Sequence, residues 1–319
     1  MNEFEMIERY FLPLTRGHKG AAGLKDDAAI LDVPAGYELV ITSDTLNEGV
    51  HFIAGETPAN IARKALRVNL SDLAAMGAKA LSYQLNIAFP NIPNKAWLAE
   101  FSGALQADNE EFDIFCSGGD TTSIKGDCLS ISITALGLVP VGGAVRRNGA
   151  LQGDLIVVTG VIGDAYLGLK ALQNDLDYGV AIERYRVPRP RNNAASIIRK
   201  HVNAAIDISD GLLADLMHIA SASKIGAEID VDKLVFSKDV RHALGRGIVK
   251  IEDVITGGDD YELILAVSPA KLPILIRELE NIKLNPMVVG EFKGNISKHP
   301  VLKSKTHRID MKALGWQHF

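Results

Sequence analysis

Six short acidic segments hold most of the chemistry this sequence can do: Asp26-Asp27, Ser43-Asp44-Thr45, Asp72, Gly118-Gly119-Asp120-Thr121-Thr122, Asp207-Ile208-Ser209-Asp210 and Gly257-Gly258-Asp259-Asp260. Each is rich in oxygen and flanked by glycine or by apolar strand residues. Carboxylate, hydroxyl and carbonyl oxygens are the ligands of hard cations, and Mg²⁺ shares its coordination positions with water and substrate phosphates. The composition of these segments therefore points to a magnesium nucleotide. Taken singly, an Asp beside a Gly is a turn residue. Six such clusters spread over both halves of the chain, one on an apolar helical face, are not explained by turns alone, although spacing does not show that they converge.

The familiar phosphate-binding sequences are absent. There is no G-x-x-x-x-G-K-[ST], no G-x-G-x-x-G, and no H-R-D with D-F-G, so the P-loop, dinucleotide-fold and protein-kinase readings lose their fingerprints. Gly118 and Gly119 can present backbone N–H groups to a phosphate, and a helix opening after Gly163 can add a positive dipole end. Either glycine set serves equally well as a tight turn. Arg146-Arg147 can neutralise phosphate charge, whereas the arginines from Arg184 to Arg191 read as a solvated linker face. His51 reads as a structural histidine, and Trp316 either anchors the C-terminal residues or offers a flat ring for stacking.

The elements that must position these groups are legible in outline. Phe4, Ile7 and Phe11 recur at helical spacing before Pro13, and the Gly-rich stretch Gly17 to Gly23 reads as mobile. Tyr37 to Thr42 reads as a strand that delivers Ser43, Asp44 and Thr45 at its C-terminal end. Thr57 and Pro58 open a helix running towards Gly77, with Ile61, Ala65, Val68, Asp72, Ala75 and Met76 on one stripe. A carboxylate on that inward stripe must be paired, metal-bound or neutralised. Leu129 to Ala135 alternates as a half-buried antiparallel strand. Leu155 to Thr159 starts a second set of elements, with a helix from Asp164, a strand ending at Asp207, a helix from Leu212, and a strand after Asp259-Asp260.

Bulk properties set the frame. The chain has 319 residues, 47% of them hydrophobic and 23% charged, more than one core usually organises, so two domains are expected. The boundary is placed in the Gly- and Pro-containing passage after the alternating strand, giving 1–140 and 141–319. A net charge of -5 leaves no broad basic surface for nucleic acid. No apolar run reaches the roughly 18 residues of a membrane span, and the N-terminal residues lack signal-peptide character. A cytoplasmic protein is expected. Cys116 and Cys128 have no metal-binding spacing and read as reduced thiols.

Taken in order, DDAA from Asp26, TSDTLNEGVHF from Thr42, NLSDLAAMGA from Asn69, SGGDTT from Ser117, RRNGA from Arg146, VTGVIGDAYLGL from Val158, RVPRPR from Arg186, AIDISDGL from Ala205, GGDDYEL from Gly257 and Gly315-Trp316 resemble the thiamine-monophosphate kinase family. That family sits in a superfamily with aminoimidazole ribonucleotide synthetase, selenophosphate synthetase and a hydrogenase maturation protein. The resemblance implies a two-domain α/β (α+β) fold with a site in the cleft between the domains. Its N-terminal domain would bind ATP and magnesium and pair its mixed sheet with that of a second copy in a homodimer. Its C-terminal α/β domain would complete the site.

By the same resemblance Asp27, Thr42, Ser43, Asp44, Asp72, Asp120, Asp207 and Asp210 correspond to Mg²⁺ ligands, and Gly119, Asp120, Arg146 and Ser209 to nucleotide contacts. His51, Asp259, Asp260 and Trp316 correspond to contacts with thiamine monophosphate. The implied activity is transfer of the ATP γ-phosphate to that acceptor, with no catalytic base assigned. The sequence departs from the family at Lys25, where glycine is usual, at Asp259, where glutamate is usual, and in the reduced basic run Ser123-Ile124-Lys125. Aminoimidazole ribonucleotide synthetase activity and a non-catalytic thiamine-phosphate or nucleotide sensor are the alternatives. The first is disfavoured by GVHF and the terminal GW, the second by retention of every acidic segment.

Overall fold

The structure is a computed structural model that describes residues 2–294, 299–305 and 314–315. The chain divides into two compact units, Met1–Leu73 with Ala78–Gly142, and Ala74–Gly77 with Gly143–Phe319.

The first unit begins with a short helix α1 (Glu3–Met6) that widens into a π turn (Ile7–Phe11) and then tightens into a 3-10 turn (Leu12–Thr15). Tyr10 and Phe11 are buried, but Phe4 is 81% exposed and takes no part in the core. A further 3-10 segment covers Lys19–Leu24, with Ala22 and Gly23 outside helical geometry and Gly20 and Ala21 buried. There follow β1 (Tyr37–Asn47), α2 (Pro58–Ala75), β2 (Lys79–Phe89), α3 (Lys95–Glu111), β3 (Phe115–Ser123) and β4 (Ser130–Pro140). Among the described residues they form a four-stranded sheet in the order β1-β4-β2-β3. Both pairings of β4 are antiparallel and the β2–β3 pairing is parallel.

The alternation read from Leu129 onward is realised in β4, where Ile131, Ile133, Ala135 and Val139 are buried and Ser130, Ser132 and Thr134 lie on the other face. On the buried side Leu73 of α2 comes within 3.2 Å of the position a Cβ would take at Gly137. Helix α2 starts where expected. The Thr57 hydroxyl accepts the Asn60 N–H at 3.3 Å, with Pro58 in the first turn. The helix ends as the Ala78 N–H reaches back to the Leu73 carbonyl at 2.8 Å, the long bond of a Schellman turn. Helices α2 and α3 are tied by Arg67, whose Nε and Nη2 grip the buried Asp108 carboxylate at 2.8 and 2.7 Å.

The second unit contains β5 (Leu155–Val158), α4 (Asp164–Gln173), α5 (Gly179–Arg186), α6 (Ala195–His201), β6 (Ala204–Asp207), α7 (Leu212–Ser223), β7 (Gly226–Asp230), α8 (Lys238–Gly245), α9 (Ile251–Thr256), β8 (Leu263–Val267), α10 (Leu272–Asn281), β9 (Met287–Lys293) and β10 (Val301–Lys303). Among the described residues the strands form a six-stranded sheet in the order β10-β7-β9-β5-β8-β6. Alternate residues feed two cores. Ile156, Val158, Ile206 and Ile264 pack with Leu212, Leu216 and Ile219 of α7. Val157, Ala205, Leu263 and Leu265 pack with Ile198 of α6 and with Leu275 and Leu279 of α10. A sheet covered by helices on both faces needs apolar residues on both sides, and β8 is buried at all its positions. This is a mixed α/β architecture, as the sequence implied.

Candidate active site

In the first unit the acidic residues are set out by strand alternation. The sequence suggests a strand ending at Thr42, but β1 continues to Asn47 because β4 pairs with it residue for residue. Ser43, Asp44 and Thr45 therefore lie inside the strand. The hydroxyls of Ser43 and Thr45 fall on one face, 3.0 Å from the Thr134 hydroxyl and 2.6 Å from that of Ser132. Thr42 and Asp44 point the other way, towards α2, where Thr42 donates its hydroxyl to Asp72 Oδ2. Asn69, three residues before Asp72 on the same helix, accepts the Asp44 backbone N–H at 3.1 Å.

Asp44 and Asp72 are both half-buried. Burial, and then the neighbouring Asp72 charge, push the Asp44 carboxyl up to about 6. A carboxyl raised by a neighbouring carboxylate gains from a cation bound beside it. A hydroxyl and two carboxylate groups on the facing sides of β1 and α2 form an all-oxygen donor set that suits Mg²⁺. The residues present thus fit that ion.

Ser117 to Thr122 does not form a loop. It lies in β3, pairing in parallel with β2. Gly119 has φ +153°, and a Cβ there would lie 1.9 Å from the Leu85 carbonyl oxygen, so this position admits only glycine. Gly119 and Asp120 line a cavity of about 320 Å³ together with Asp26, Asp27, Gln84 and Asn86, and its apolar wall includes Ile7, Phe11, Leu24, Leu85 and Cys116. An apolar wall facing a few convergent polar groups is the usual make-up of a small-molecule site. Asp27 and Asp120 are exposed. The Cys116 thiol is buried and donates to the Gly118 carbonyl at 3.3 Å, and burial pushes it up to about 12.

In the second unit Asp207 ends β6 and is buried. The next residues turn sharply into α7. Asp215, in the first turn of that helix, accepts the N–H groups of Ser209, Asp210 and Gly211 at 3.0, 3.0 and 3.2 Å, all on Oδ2. Burial and the Asp210 charge push Asp215 up to about 7. Asp215 was not among the residues singled out by sequence. Its only signal is a carboxylate in the first turn of a helix that follows an Asp-Gly step. The Asp259 N–H donates to the Ser209 carbonyl at 2.9 Å, and the Asp259 side chain accepts the Tyr261 hydroxyl at 3.1 Å. Asp260 is turned inward, its two oxygens accepting the Gly163 and Ala165 N–H groups at 2.6 and 3.2 Å at the N-terminus of α4.

Arg184 and Arg191 are not on a solvated face. Their side chains are 13% and 14% exposed and enclose the fully buried Glu262. Arg191 donates Nε to Oε2 at 2.7 Å and Nη2 to Oε1, Arg184 donates Nη2 to Oε1 at 3.0 Å, and the Thr159 hydroxyl adds a bond at 2.6 Å. A buried glutamate must be matched in this way. Only Arg189 behaves as the sequence suggests, pairing at the surface with Glu183. Arg146 is exposed. His51 Nδ1 accepts the Asn47 N–H at 3.0 Å within its own turn. Trp316 lies outside the described residues.

The fold and these sites define a class. The AIR synthase related protein models match the chain over residues 25–139 for the N-terminal domain and 152–297 for the C-terminal domain. The thiamine-monophosphate kinase of Caulobacter vibrioides is 39% identical over 99% of this chain and 90% of its own length. Among solved structures, the thiamine-monophosphate kinase of Stenotrophomonas maltophilia K279a superposes with a TM-score of 0.85 at 36% identity, covering 96% of this chain and 97% of the other. AaThiL complexed with AMPPCP and TMP superposes at 0.77 with 27% identity, covering 92% and 91%. The chain belongs to the AIR synthase related family and, within it, to the thiamine-monophosphate kinases.

Proposed function

We propose that the chain transfers the γ-phosphate of ATP to thiamine monophosphate, giving thiamine diphosphate and ADP. The observation that carries this is full-length likeness to thiamine-monophosphate kinases, one of which has been solved with AMPPCP and TMP. An oxygen of the acceptor phosphate forms the new bond to the γ-phosphorus, the bond from that phosphorus to the β-bridging oxygen breaks, and ADP carries away the electron pair. The acceptor phosphate is ionised near neutral pH, so positioning and charge compensation outweigh base catalysis.

In the first unit Asp27, Thr42, Asp44, Asp72 and Asp120 are the proposed holders of Mg²⁺, and Asp207 and Asp210 are their counterparts in the second. Bound Mg²⁺ would offset the repulsion between the two anionic reactants. Ser43 stands apart from this set because its hydroxyl faces Thr134 across the sheet. Gly119, Arg146 and Ser209 are the proposed nucleotide contacts. His51, Asp259, Asp260 and Trp316 are the proposed acceptor contacts, and the two N–H bonds already made by Asp260 favour a supporting role for it.

A homodimer formed through the first sheet is supported by β1, an outer strand whose Tyr37 and Ile41 are 46% and 60% exposed, since a long uncovered edge invites pairing. Among the described residues no helix is long and apolar enough to cross a membrane. The two cysteines are free, in keeping with a reducing cytoplasm.

The deciding experiment incubates purified protein with Mg-ATP and, in parallel, thiamine monophosphate, free thiamine or formylglycinamidine ribonucleotide. Thiamine diphosphate from the monophosphate alone supports the proposal. ATP consumption only with the purine intermediate would move the protein to the synthetase branch, and ligand binding without turnover would make it a sensor.

A further inference from the structure

We infer that Asp215 is the positioning residue of the Ser209–Asp210 loop, setting the direction in which that loop presents its side chains to the magnesium nucleotide. The inference rests on the proposed function, in which Asp210 holds Mg²⁺ and Ser209 meets the nucleotide.

Three successive amides converge on one carboxylate oxygen, and the residue that carries it is 2% exposed. That oxygen is taken up by the loop's own amides, and a carboxylate oxygen of Asp215 lies within 4.8 Å of ligand atoms of Asp210 and His218, so Asp215 sits next to the side chain it would position. The opposite side of the same loop is fixed through its carbonyl groups. Ser209 O accepts the Asp259 N–H at 2.9 Å, and a Cβ on Gly258 would lie 2.3 Å from that same oxygen. A Cβ on Gly315 would lie 2.5 Å from Asp210 O. Gly211 completes the turn at φ +120°, a conformation that a side chain would strain.

With its amides committed to Asp215 and its carbonyls packed from the other side, the loop has one backbone orientation. The side chain of Asp210 remains half-exposed. Removing a partner of this kind typically costs about 10- to 100-fold in metal affinity or activity.

The test compares Asp215→Ala with Asp215→Asn, which retains an acceptor oxygen for the amides, in steady-state assays titrated with Mg²⁺. Asp215→Ala should raise the Mg²⁺ concentration for half-maximal rate about 10- to 100-fold and raise KM for ATP, with KM for thiamine monophosphate unchanged at saturating Mg²⁺. Asp215→Asn should recover most of the shift. A purely structural role would lower the folded fraction without moving the Mg²⁺ midpoint, and a ligand role would make both variants equally defective; either result overturns the inference. If Asp215→Ala does not fold, Asp215→Ser takes its place, and Asn must then shift the midpoint less than Ser. Asp210→Asn, measured alongside, separates the two levels. An unchanged Mg²⁺ midpoint there removes the underlying reading, whereas a shift there with none in Asp215→Ala removes only this inference.

Discussion

Asp260 Oδ2 accepts the Gly163 N–H at 2.6 Å while its other oxygen takes the Ala165 N–H, so a single buried carboxyl group closes the start of α4. Burial dominates those two bonds and pushes the group up to about 8, with the Asp164 and Glu262 charges adding to the rise. The folded protein therefore keeps a proton that the unfolded chain has released between the ordinary carboxyl value and about pH 8. The stability linked to Asp260 is fully present below pH 4 and is lost as pH rises towards 8. Its slope can reach about 1.4 kcal/mol per pH unit, the limit for one proton. Urea unfolding from pH 5 to 8 should show a steeper decline for the native protein than for Asp260→Asn; parallel curves would remove Asp260 as the source.

Arg191 presents a different kind of buried contact. Its guanidinium makes two bonds to a glutamate with no exposed surface. Removing one partner of such a pair leaves the other charge unmatched at a cost of about 3–5 kcal/mol. Arg191→Ala should lose that much in urea unfolding, moderated by the remaining Arg184. Arg189→Ala, at the exposed pair with Glu183, should lose less than about 1 kcal/mol. Equal losses would mean that the Glu262 network carries no special weight.

This network also marks the limit of what the sequence conveyed. The α2 helix was legible because its cap, proline and terminal glycine are local, and β4 was legible because its alternation is local. Glu262 meets Arg184 and Arg191 across separations of 78 and 71 residues, so nothing near the arginines announces a partner, and they read as solvated. Ser43, Asp44 and Thr45 were expected at the C-terminal end of a strand reaching Thr42, yet the pairing supplied by β4 carried the strand on to Asn47. Gly118 and Gly119 read either as N–H donors to a phosphate or as a tight turn, and the turn gives way to a strand. The parallel partner β2 imposes extended structure on residues whose own preferences oppose it. Which side chains share a face, as Thr42, Asp44 and Asp72 do, followed only from the register.

Gly119 offers a direct test of that imposed strand. Its φ of +153° and the 1.9 Å approach of the Leu85 carbonyl to a Cβ position leave no room for a methyl group. Gly119→Ala should destabilise the protein by more than about 1 kcal/mol and raise KM for ATP, because the cavity beside Asp120 would be distorted. Gly118→Ala meets nothing within 4 Å and should be tolerated. Thermal unfolding of both variants, with ATP titrations, distinguishes them, and equal tolerance would count against the geometry described for β3.

The two thiols should separate cleanly under alkylation. Cys116 is buried and pushed up to about 12, and Cys128 is exposed. Since the thiolate is the reacting form, iodoacetamide at neutral pH should label one site per folded chain, found by peptide mapping at Cys128. Rapid labelling of Cys116 would mean that the cavity wall opens in solution.

Asp44 and Asp72 provide the functional counterpart. They approach each other from a strand and a helix, and the charge of Asp72 helps to raise Asp44. Replacing either by Asn relieves that repulsion, so the folded protein should be no less stable than the native one in the absence of divalent ions. The same change removes a ligand charge, and kcat/KM at limiting Mg²⁺ should fall at least about 100-fold. Activity should thus fall without a loss of stability. A variant that loses both would point to a packing role for the carboxylate, and one that keeps the native rate at limiting Mg²⁺ would take that residue out of the mechanism.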